Sequence, residues 1–283
     1  MQETITDLLN KAEGDIEIIA VLDGYWPDPP LKDDKRLHIV HRARKGMRES
    51  INNGVAVAKG EYIMKIDAHC IFSQGYDTTM TADCDGDWVV VPRRYSLHHE
   101  TWKPRTDKLY VDYEYLGNPY SKKLIRNGRY GMHAWTWDAR INERSNILLD
   151  EDMTFQGSCW VCKREHFNKR IGKLDATGYG TFGSEAQEVG LTTWLKGGKC
   201  MINKRAWYAH LWKGQPYRDR YREMFGQRYS RDSHTDFIRG RDYCVDYWLN
   251  NRMEKRVHDF AWLLERFWPV PSWPEDRLQW TTQ

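Results

Sequence analysis

Asp67 and His69, separated by one residue, follow directly after the apolar-leaning segment at 62–66. A segment rich in β-branched and aromatic residues predicts a strand, and strand geometry sends residues two apart to the same side. A carboxylate and an imidazole there suit Mn²⁺ better than Mg²⁺, which prefers all-oxygen surroundings. His210, beside a second strand-like segment near 206–212, is a third candidate ligand. Alternatively, Asp67 ends a turn and His69 is a polar surface residue.

Two carboxylates form a second candidate group. Glu185 opens a predicted helix over 184–198, with Ser184 as its N-cap and a Gly-Gly pair at its end. The positive end of the helix dipole favours an anion at Glu185, which keeps it ionised but makes it a weaker base. It could hold an acceptor hydroxyl or take its proton, and Glu188 lies one turn further on the same face. Both could also be ordinary first-turn carboxylates.

Strands and helices alternate at short spacing around these residues. This alternation predicts βαβ units and a largely parallel sheet. In such sheets ligands bind beyond the carboxyl ends of the strands, where Asp23 and Asp67 both lie. The residues at 95–150 lack clear periodicity, which is typical of a functional or poorly ordered stretch. The predicted helices cover 2–12, 45–58 and 184–198, and the predicted strands 16–22, 37–42, 61–66, 88–94 and 206–212. Residues 155–167 are predicted to form a strand that runs into the start of a helix.

Composition excludes several classes. A net charge of +3 does not by itself imply nucleic acid, and no run of about 18 apolar residues predicts a membrane span. The N-terminus is acidic and amphipathic and lacks a signal core, so we expect a cytoplasmic protein. The six cysteines are scattered, and the lone pair Cys159 and Cys162 has no second pair to complete a zinc site. We predict ordinary buried thiols.

Three blocks, in order, carry a family resemblance. They are DIEIIAVLDG with RKGMRESINNGVAVAKGEYIMKIDAHC, then GSCWVCKREHFNKRIGKLDATGYGTFGSEAQEVGLTTWLKGG, then WYAHLWKGQPY. With them the chain resembles GT-A-fold nucleotide-sugar glycosyltransferases of the family 2 type and the related polypeptide N-acetylgalactosaminyltransferases. The resemblance implies an α/β GT-A domain at 1–212, a Rossmann-like, mostly parallel sheet flanked by helices. It also implies an acceptor-facing insert at 93–150. A helical aromatic and basic extension at 213–283 would begin with a diphosphate-contacting loop.

The resemblance also implies roles for individual residues. Asp67, His69 and His210 match a metal and diphosphate site that takes Mn²⁺ or Mg²⁺. Glu185 matches the acid of the catalytic motif, with Glu188 as a second candidate. A cation such as Lys213 beside a departing diphosphate would stabilise developing charge. The residues expected to contact the donor are Asp23, Arg48, Asp67, Gly157, Ser158, Phe182, Lys213 and Tyr217.

The sequence departs from the family pattern at two points. The family's first strand, with an Ile-Pro-x-x-Asn-like segment, should precede residue 2 and is absent, so we expect a short start or a differently built nucleotide pocket. Inverting members carry Asp directly after the motif's Glu, and this chain has Ala186. Retaining transfer, or Glu185 acting alone, therefore remains open.

The acceptor is predicted from basic and aromatic residues. Residues 213–256 hold eleven Lys or Arg against seven Asp or Glu, interleaved with aromatics. Such residues can track a phosphate backbone and stack bases, or they can form amphipathic helices with an aromatic core face. The insert adds Arg93, Arg94, Trp102, Lys103, Arg105, Trp135 and Trp137.

The chain also resembles compact virus-encoded glycosyltransferases, some of which modify hydroxymethylated DNA bases. The predicted function is therefore metal-dependent transfer from a UDP-sugar to a hydroxyl, with a hydroxymethylated pyrimidine of DNA favoured. A bacterial polysaccharide or protein hydroxyl is the alternative acceptor. A non-catalytic nucleic-acid-binding protein on a degenerate transferase fold is the alternative of another class. The expected partners are the nucleotide-sugar donor and DNA, with no membrane and no obligate protein partner, in the host cytoplasm if the protein is viral.

Overall fold

The computed structural model describes residues 1–126, 131–212 and 227–281. A π-helical turn, Phe167–Ile171, extends α6, and a 3₁₀ turn covers Arg277–Gln279. The helices are α1 (Gln2–Lys11), α2 (Met47–Val57), α3 (Tyr76–Ala82), α4 (Lys122–Arg126), α5 (Asp138–Glu143), α6 (Arg164–His166), α7 (Glu185–Leu195), α8 (Gln227–Leu249) and α9 (Phe260–Phe267). The strands are β1 (Ile18–Asp23), β2 (Leu37–Arg42), β3 (Tyr62–Ile66), β4 (Cys70–Phe72), β5 (Trp88–Ser96), β6 (Glu114–Leu116), β7 (Ala134–Thr136), β8 (Leu149–Glu151), β9 (Cys159–Lys163) and β10 (Lys199–His210).

The central sheet has the strand order β3-β9-β5-β10-β4, and β8 pairs with the first half of β10. Strands β5 and β10 are parallel, whereas β9 runs antiparallel to both β3 and β5. Strands β1 and β2 form a separate parallel pair, and β6 and β7 a separate antiparallel pair. The α/β class is confirmed, but the sheet is mixed rather than mostly parallel. A buried apolar run has the same pattern in either direction, so the sequence could not show that β9 is reversed.

The core is built on α7 and the strands beneath it. Strand β5 carries Val89 and Val90, both fully buried, because β-branched side chains pack well on a sheet covered on both faces. The C-terminal helices pack into the same core through Trp248, Phe260 and Trp280. No helix among the described residues is long and apolar enough to cross a bilayer.

Most predicted elements are present, with shifted ends. Strand β10 begins at Lys199, well before the predicted segment, while β4 and α3 were not predicted. Ser184 does precede α7, but it has φ 55° and its side chain makes no capping hydrogen bond. The stretch at 95–150, in which the sequence shows no clear periodicity, holds several short helices and strands. All six cysteines are buried and free, as predicted.

His166 makes the stability of the fold dependent on pH. Burial lowers its pKa to about 4, although Asp87 opposes the shift, and its Nε2 lies 3.1 Å from Thr193 Oγ1. Below pH 6.5 the unfolded chain takes up a proton that the folded state refuses, so stability is lost as pH falls. From pH 7 to pH 5 we expect a loss of about 2 kcal/mol from this group. Urea unfolding at both pH values should show this loss in the wild type and not in His166→Gln.

Candidate metal and donor site

Three strand ends bring Asp67, His69 and His210 together. Asp67 follows β3, His69 precedes β4, and the antiparallel pairing of β10 with β4 sets His210 opposite Cys70. The distance from Asp67 Oδ2 is 3.3 Å to His210 Nε2 and 3.9 Å to His69 Nε2. One ligand atom from each residue lies within 4.8 Å of the others. The predicted triad therefore forms one cluster.

The electrostatics of the triad suit a divalent cation. Burial alone would raise the pKa of the Asp67 carboxyl, but Lys65 and His210 hold it well below its usual value. Burial lowers the pKa of His210, which favours the neutral imidazole that ligates metals. Neither ring nitrogen of buried His210 makes a hydrogen bond of good geometry to any described residue, although Nε2 lies 3.3 Å from Asp67 Oδ2. An ionised carboxylate beside unsatisfied imidazole nitrogens fits a bound Mn²⁺.

Lys65 links this triad to Glu185. The side chain of Lys65 is buried, and its Nζ lies 2.5 Å from Asp67 Oδ1 and 3.5 Å from Glu185 Oε1. Burial would lower its pKa, but Glu185 and Asp67 raise it above the usual value, so Lys65 is a cation. Trp160 Nε1 also donates to Glu185 Oε1, at 3.3 Å. The predicted catalytic acid is thus buried and held by two donors.

Gly157 and Ser158 lie against the same cluster. A Cβ at Gly157 would overlap the carboxylate of Glu185, so glycine is required for this close approach. The backbone carbonyl of Ser158 accepts a hydrogen bond from the N–H of Asp67, at 2.9 Å. Its hydroxyl is buried and lies 2.6 Å from the Tyr208 hydroxyl. The predicted donor contacts of both residues stay predictions.

Asp23 and Phe182 lie near the start of α2. Asp23 accepts hydrogen bonds from the backbone N–H groups of Lys45 and Gly46, at 2.7 and 2.8 Å. The N–H of Met47 donates to the carbonyl of Thr181, at 2.9 Å, which joins this turn to the Gly-rich loop. Phe182 itself is 59% exposed, so its ring is accessible to a ligand. The donor roles of Asp23 and Phe182 stay predictions.

Arg48 and Glu188 are paired with each other. Arg48 is fully buried, donates to the Glu188 carboxylate and to the carbonyl of Gly183, and stacks 4.1 Å from the Tyr179 ring centroid. Glu188 also accepts the N–H of Asp175 at 2.9 Å. This pairing gives both side chains a structural role. The donor contact of Arg48 and the catalytic role of Glu188 stay predictions.

The Arg48–Glu188 pair should show a coupling energy in unfolding. Removing either charge leaves the other buried without its partner, so the double variant should cost less than the two single variants together. We expect a coupling of about 1–3 kcal/mol in a cycle of Arg48→Met and Glu188→Gln, measured by urea unfolding. Additive single effects would show that the pair contributes no specific stabilisation.

Two predicted donor-binding residues, Lys213 and Tyr217, lie outside the described residues. Conversely, two residues that contact Glu185 were not predicted from the sequence, Lys65 and Trp160. A lysine within an apolar strand that ends on an acid was the available signal for Lys65. Nothing in the sequence indicated that Trp160 would reach Glu185.

Comparisons with known proteins identify similar glycosyltransferases. The family model Glycosyl transferase family 2 matches residues 1–170. The uncharacterized glycosyltransferase EpsJ of Bacillus subtilis is 27% identical over 171 residues, 55% of this chain and 48% of that protein. The putative polypeptide N-acetylgalactosaminyltransferase 13 of Drosophila melanogaster is 23% identical over 311 residues, 94% of this chain and 53% of that protein. The chain spans about half the length of these curated relatives.

A solved structure supports the fold. The crystal structure of GalNAc-T7 with UDP, GalNAc and Mn²⁺ superimposes with a TM-score of 0.59 at 18% identity, covering 75% of this chain and 40% of that chain. This likeness confirms the predicted GT-A fold class. The family match spans 170 of the 283 residues. The chain therefore belongs to glycosyl transferase family 2.

Proposed function

We propose that this chain transfers a sugar from a nucleotide-diphosphate sugar, with UDP-sugars favoured, to an acceptor hydroxyl in the presence of Mn²⁺. The observation that carries the proposal is the cluster of Asp67, His69 and His210 at the strand ends. The GalNAc-T7 structure, which holds UDP, GalNAc and Mn²⁺, supports a UDP-linked sugar and this ion. When bound, the ion would neutralise charge on the leaving diphosphate as a Lewis acid.

The chain's own residues prepare this site. The low pKa of Asp67 keeps its carboxylate ionised. Lys65 holds Asp67 Oδ1, which leaves Oδ2 facing the two imidazoles. The absence of a side chain at Gly157 lets the carboxylate of Glu185 lie beside this cluster. These contacts fix two carboxylates before a donor arrives, which reduces reorganisation during transfer.

Two classes of acceptor are proposed, a hydroxymethylated base of DNA and a protein hydroxyl. Several residues predicted to bind DNA make contacts inside the protein instead. Arg93 forms an ion pair with Asp112, Arg94 forms one with Glu114, and Trp137 is buried. These pairings weaken the prediction of a DNA acceptor. A protein hydroxyl is supported by the similarity to the Drosophila polypeptide N-acetylgalactosaminyltransferase over 94% of the chain.

A donor and acceptor screen tests the proposal. UDP-, GDP-, TDP- and CMP-sugars would be incubated with enzyme and Mn²⁺, alone or with hydroxymethylcytosine DNA, hydroxymethyluracil DNA, plain DNA or Ser/Thr peptides. We expect release of UDP, stimulated by one acceptor class. No turnover and no nucleotide binding would reject the transferase proposal. DNA binding that is unchanged in Asp67→Ala, without turnover, would favour the non-catalytic alternative.

A further inference from the structure

The loop at 175–183 leads directly into α7 and carries Phe182 three residues before Glu185. Near the start of α2, Arg48 donates to the carbonyl of Gly183 at 2.8 Å. Helix α8, from the C-terminal part of the chain, also contacts this loop. Two helices that are far apart in the sequence therefore hold the backbone that precedes Glu185.

Asp236 of α8 contacts both the backbone and the side chain of Thr181 in this loop. Its Oδ2 accepts hydrogen bonds from the N–H and from the hydroxyl of Thr181, each at 2.6 Å. Its Oδ1 accepts one from Arg239 Nη2 at 2.7 Å. A Cβ at Gly180 would overlap the Asp236 carboxylate, so glycine permits this close approach. One carboxylate thus fixes the position of Thr181.

The Asp236 carboxylate is ionised. Burial alone would raise its pKa, but the hydrogen bonds from Thr181 and the cation of Arg239 lower it below the usual value. An ionised acceptor makes shorter and stronger hydrogen bonds than a neutral one. The two hydrogen bonds from Thr181 are therefore charge-assisted.

Phe237, the next residue of α8, contacts the loop through its ring. Its ring centroid lies 5.9 Å from that of Phe182, with the two planes at 42°, and the ring also lies against Gly183. The Arg241 guanidinium stacks on the Phe237 ring, 4.1 Å from its centroid. Phe182 remains exposed. Helix α8 thus supports the ring of Phe182 without covering it.

We propose that Asp236 is a positioning residue for sugar transfer, because it holds Thr181 and so keeps the adjacent Phe182 beside the donor. This role rests on the proposed transferase function. Ser184 follows with φ 55°, a left-handed conformation that persists in residues other than glycine when surrounding contacts hold it. The two hydrogen bonds to Asp236 are such contacts, and a loop ordered before the donor arrives loses less entropy on binding.

Glu185 depends less on Asp236 than Phe182 does. Lys65 and Trp160 hold the Glu185 carboxylate through contacts outside the loop. Loss of the Asp236 carboxylate should therefore weaken donor binding more than it slows the chemical step. A general loss of folded protein would instead lower kcat and leave KM unchanged.

The kinetics of UDP-sugar hydrolysis at saturating Mn²⁺ test this division. Asp236→Ala should raise the donor KM about tenfold and change kcat by less than about threefold, since two hydrogen bonds are lost. Thr181→Val keeps the N–H and loses the hydroxyl, so it should raise KM by about threefold, whereas Thr181→Ser should keep the wild-type value. Added to Asp236→Ala, Thr181→Val should have no further effect.

The matched control is Asp246→Ala. Asp246 lies on the same helix and pairs with Arg252 at 2.8 Å. This variant removes the same side chain and an ion pair on α8 without removing the acceptor of Thr181. It should keep both the KM and the kcat of the wild type.

Hydrogen exchange, detected by NMR, tests the contact without turnover. The Thr181 N–H should exchange about tenfold faster in Asp236→Ala because its acceptor is lost, while slow amides in β9 and α7 confirm that the variant is folded. Unchanged Thr181 exchange in Asp236→Ala, or a fall in kcat at constant KM, would overturn the proposal. A wild type without turnover would reject the proposed function instead, and the Thr181 exchange rate would still decide whether Asp236 holds the loop.

Discussion

Replacing Asp67 with alanine is expected to lower donor turnover by about 10³-fold or more. Asp67 Oδ2 lies 3.9 Å from His69 Nε2 and 3.3 Å from His210 Nε2. Asp67 Oδ1 forms an ion pair with Lys65 Nζ, at 2.5 Å. Loss of Asp67 removes the anionic ligand and leaves the Lys65 cation, with Glu185 still 3.5 Å away, beside the place where the ion would bind. Initial rates of UDP-sugar hydrolysis at saturating Mn²⁺ would measure the effect.

The matched control for this variant is Asp107→Ala. Asp107 is 62% exposed, pairs with Arg105 and is not a member of the cluster. It should turn over the donor at the wild-type rate, since it removes the same side chain without touching the cluster. Equal losses in both variants, or wild-type activity in Asp67→Ala, would contradict the role assigned to Asp67.

Replacing Lys65 with methionine is expected to lower the free energy of unfolding by about 3–5 kcal/mol. Lys65 Nζ lies between Asp67 and Glu185, and its side chain is 8% exposed. Methionine keeps most of the volume but leaves two carboxylates close together without the cation between them. Urea unfolding in the absence of divalent cations would measure the loss, with the exposed Lys59→Met as the control.

The same reasoning predicts a partial rescue. Adding Glu185→Gln to Lys65→Met removes one of the two uncompensated carboxylates, so the double variant should be more stable than Lys65→Met alone. A double variant less stable than Lys65→Met would show that Lys65 acts through packing rather than through charge. Lys65→Arg should keep more stability than methionine because it keeps the charge.

The three residues of the metal cluster and the helix that carries Glu185 could be predicted from the sequence. Asp67 and His69 do face one cluster, as strand geometry predicted, although they lie in the turn between β3 and β4 rather than within a strand. His210 was found because it follows a strand-like segment, and the pairing of β10 with β4 brings it opposite Cys70. The helix that begins at Glu185 was likewise predicted from the Gly-rich loop before it and the Gly-Gly pair after it.

Contacts between residues far apart in the chain could not be predicted from the sequence. Lys65 meets Glu185 across 120 positions of sequence, and Arg48 meets Glu188 across 140. Each of these pairs depends on how the helices and strands pack, which periodicity does not encode. Gly157 looked like a small residue beside a sugar, yet the structure shows that it also makes room for the Glu185 carboxylate. The spacing of residues in the sequence does not show which buried side chains lie against Gly157.

Pulsed electron paramagnetic resonance of bound Mn²⁺ is the most direct test of the metal site. We expect one tightly bound Mn²⁺ per chain whose signal shows nitrogen coupling from His69 and His210. Each single change, His69→Ala or His210→Ala, should remove part of that coupling and weaken binding, whereas the exposed His99→Ala should change neither. Mn²⁺ bound without nitrogen coupling, or coupling that survives the loss of both His69 and His210, would contradict the account.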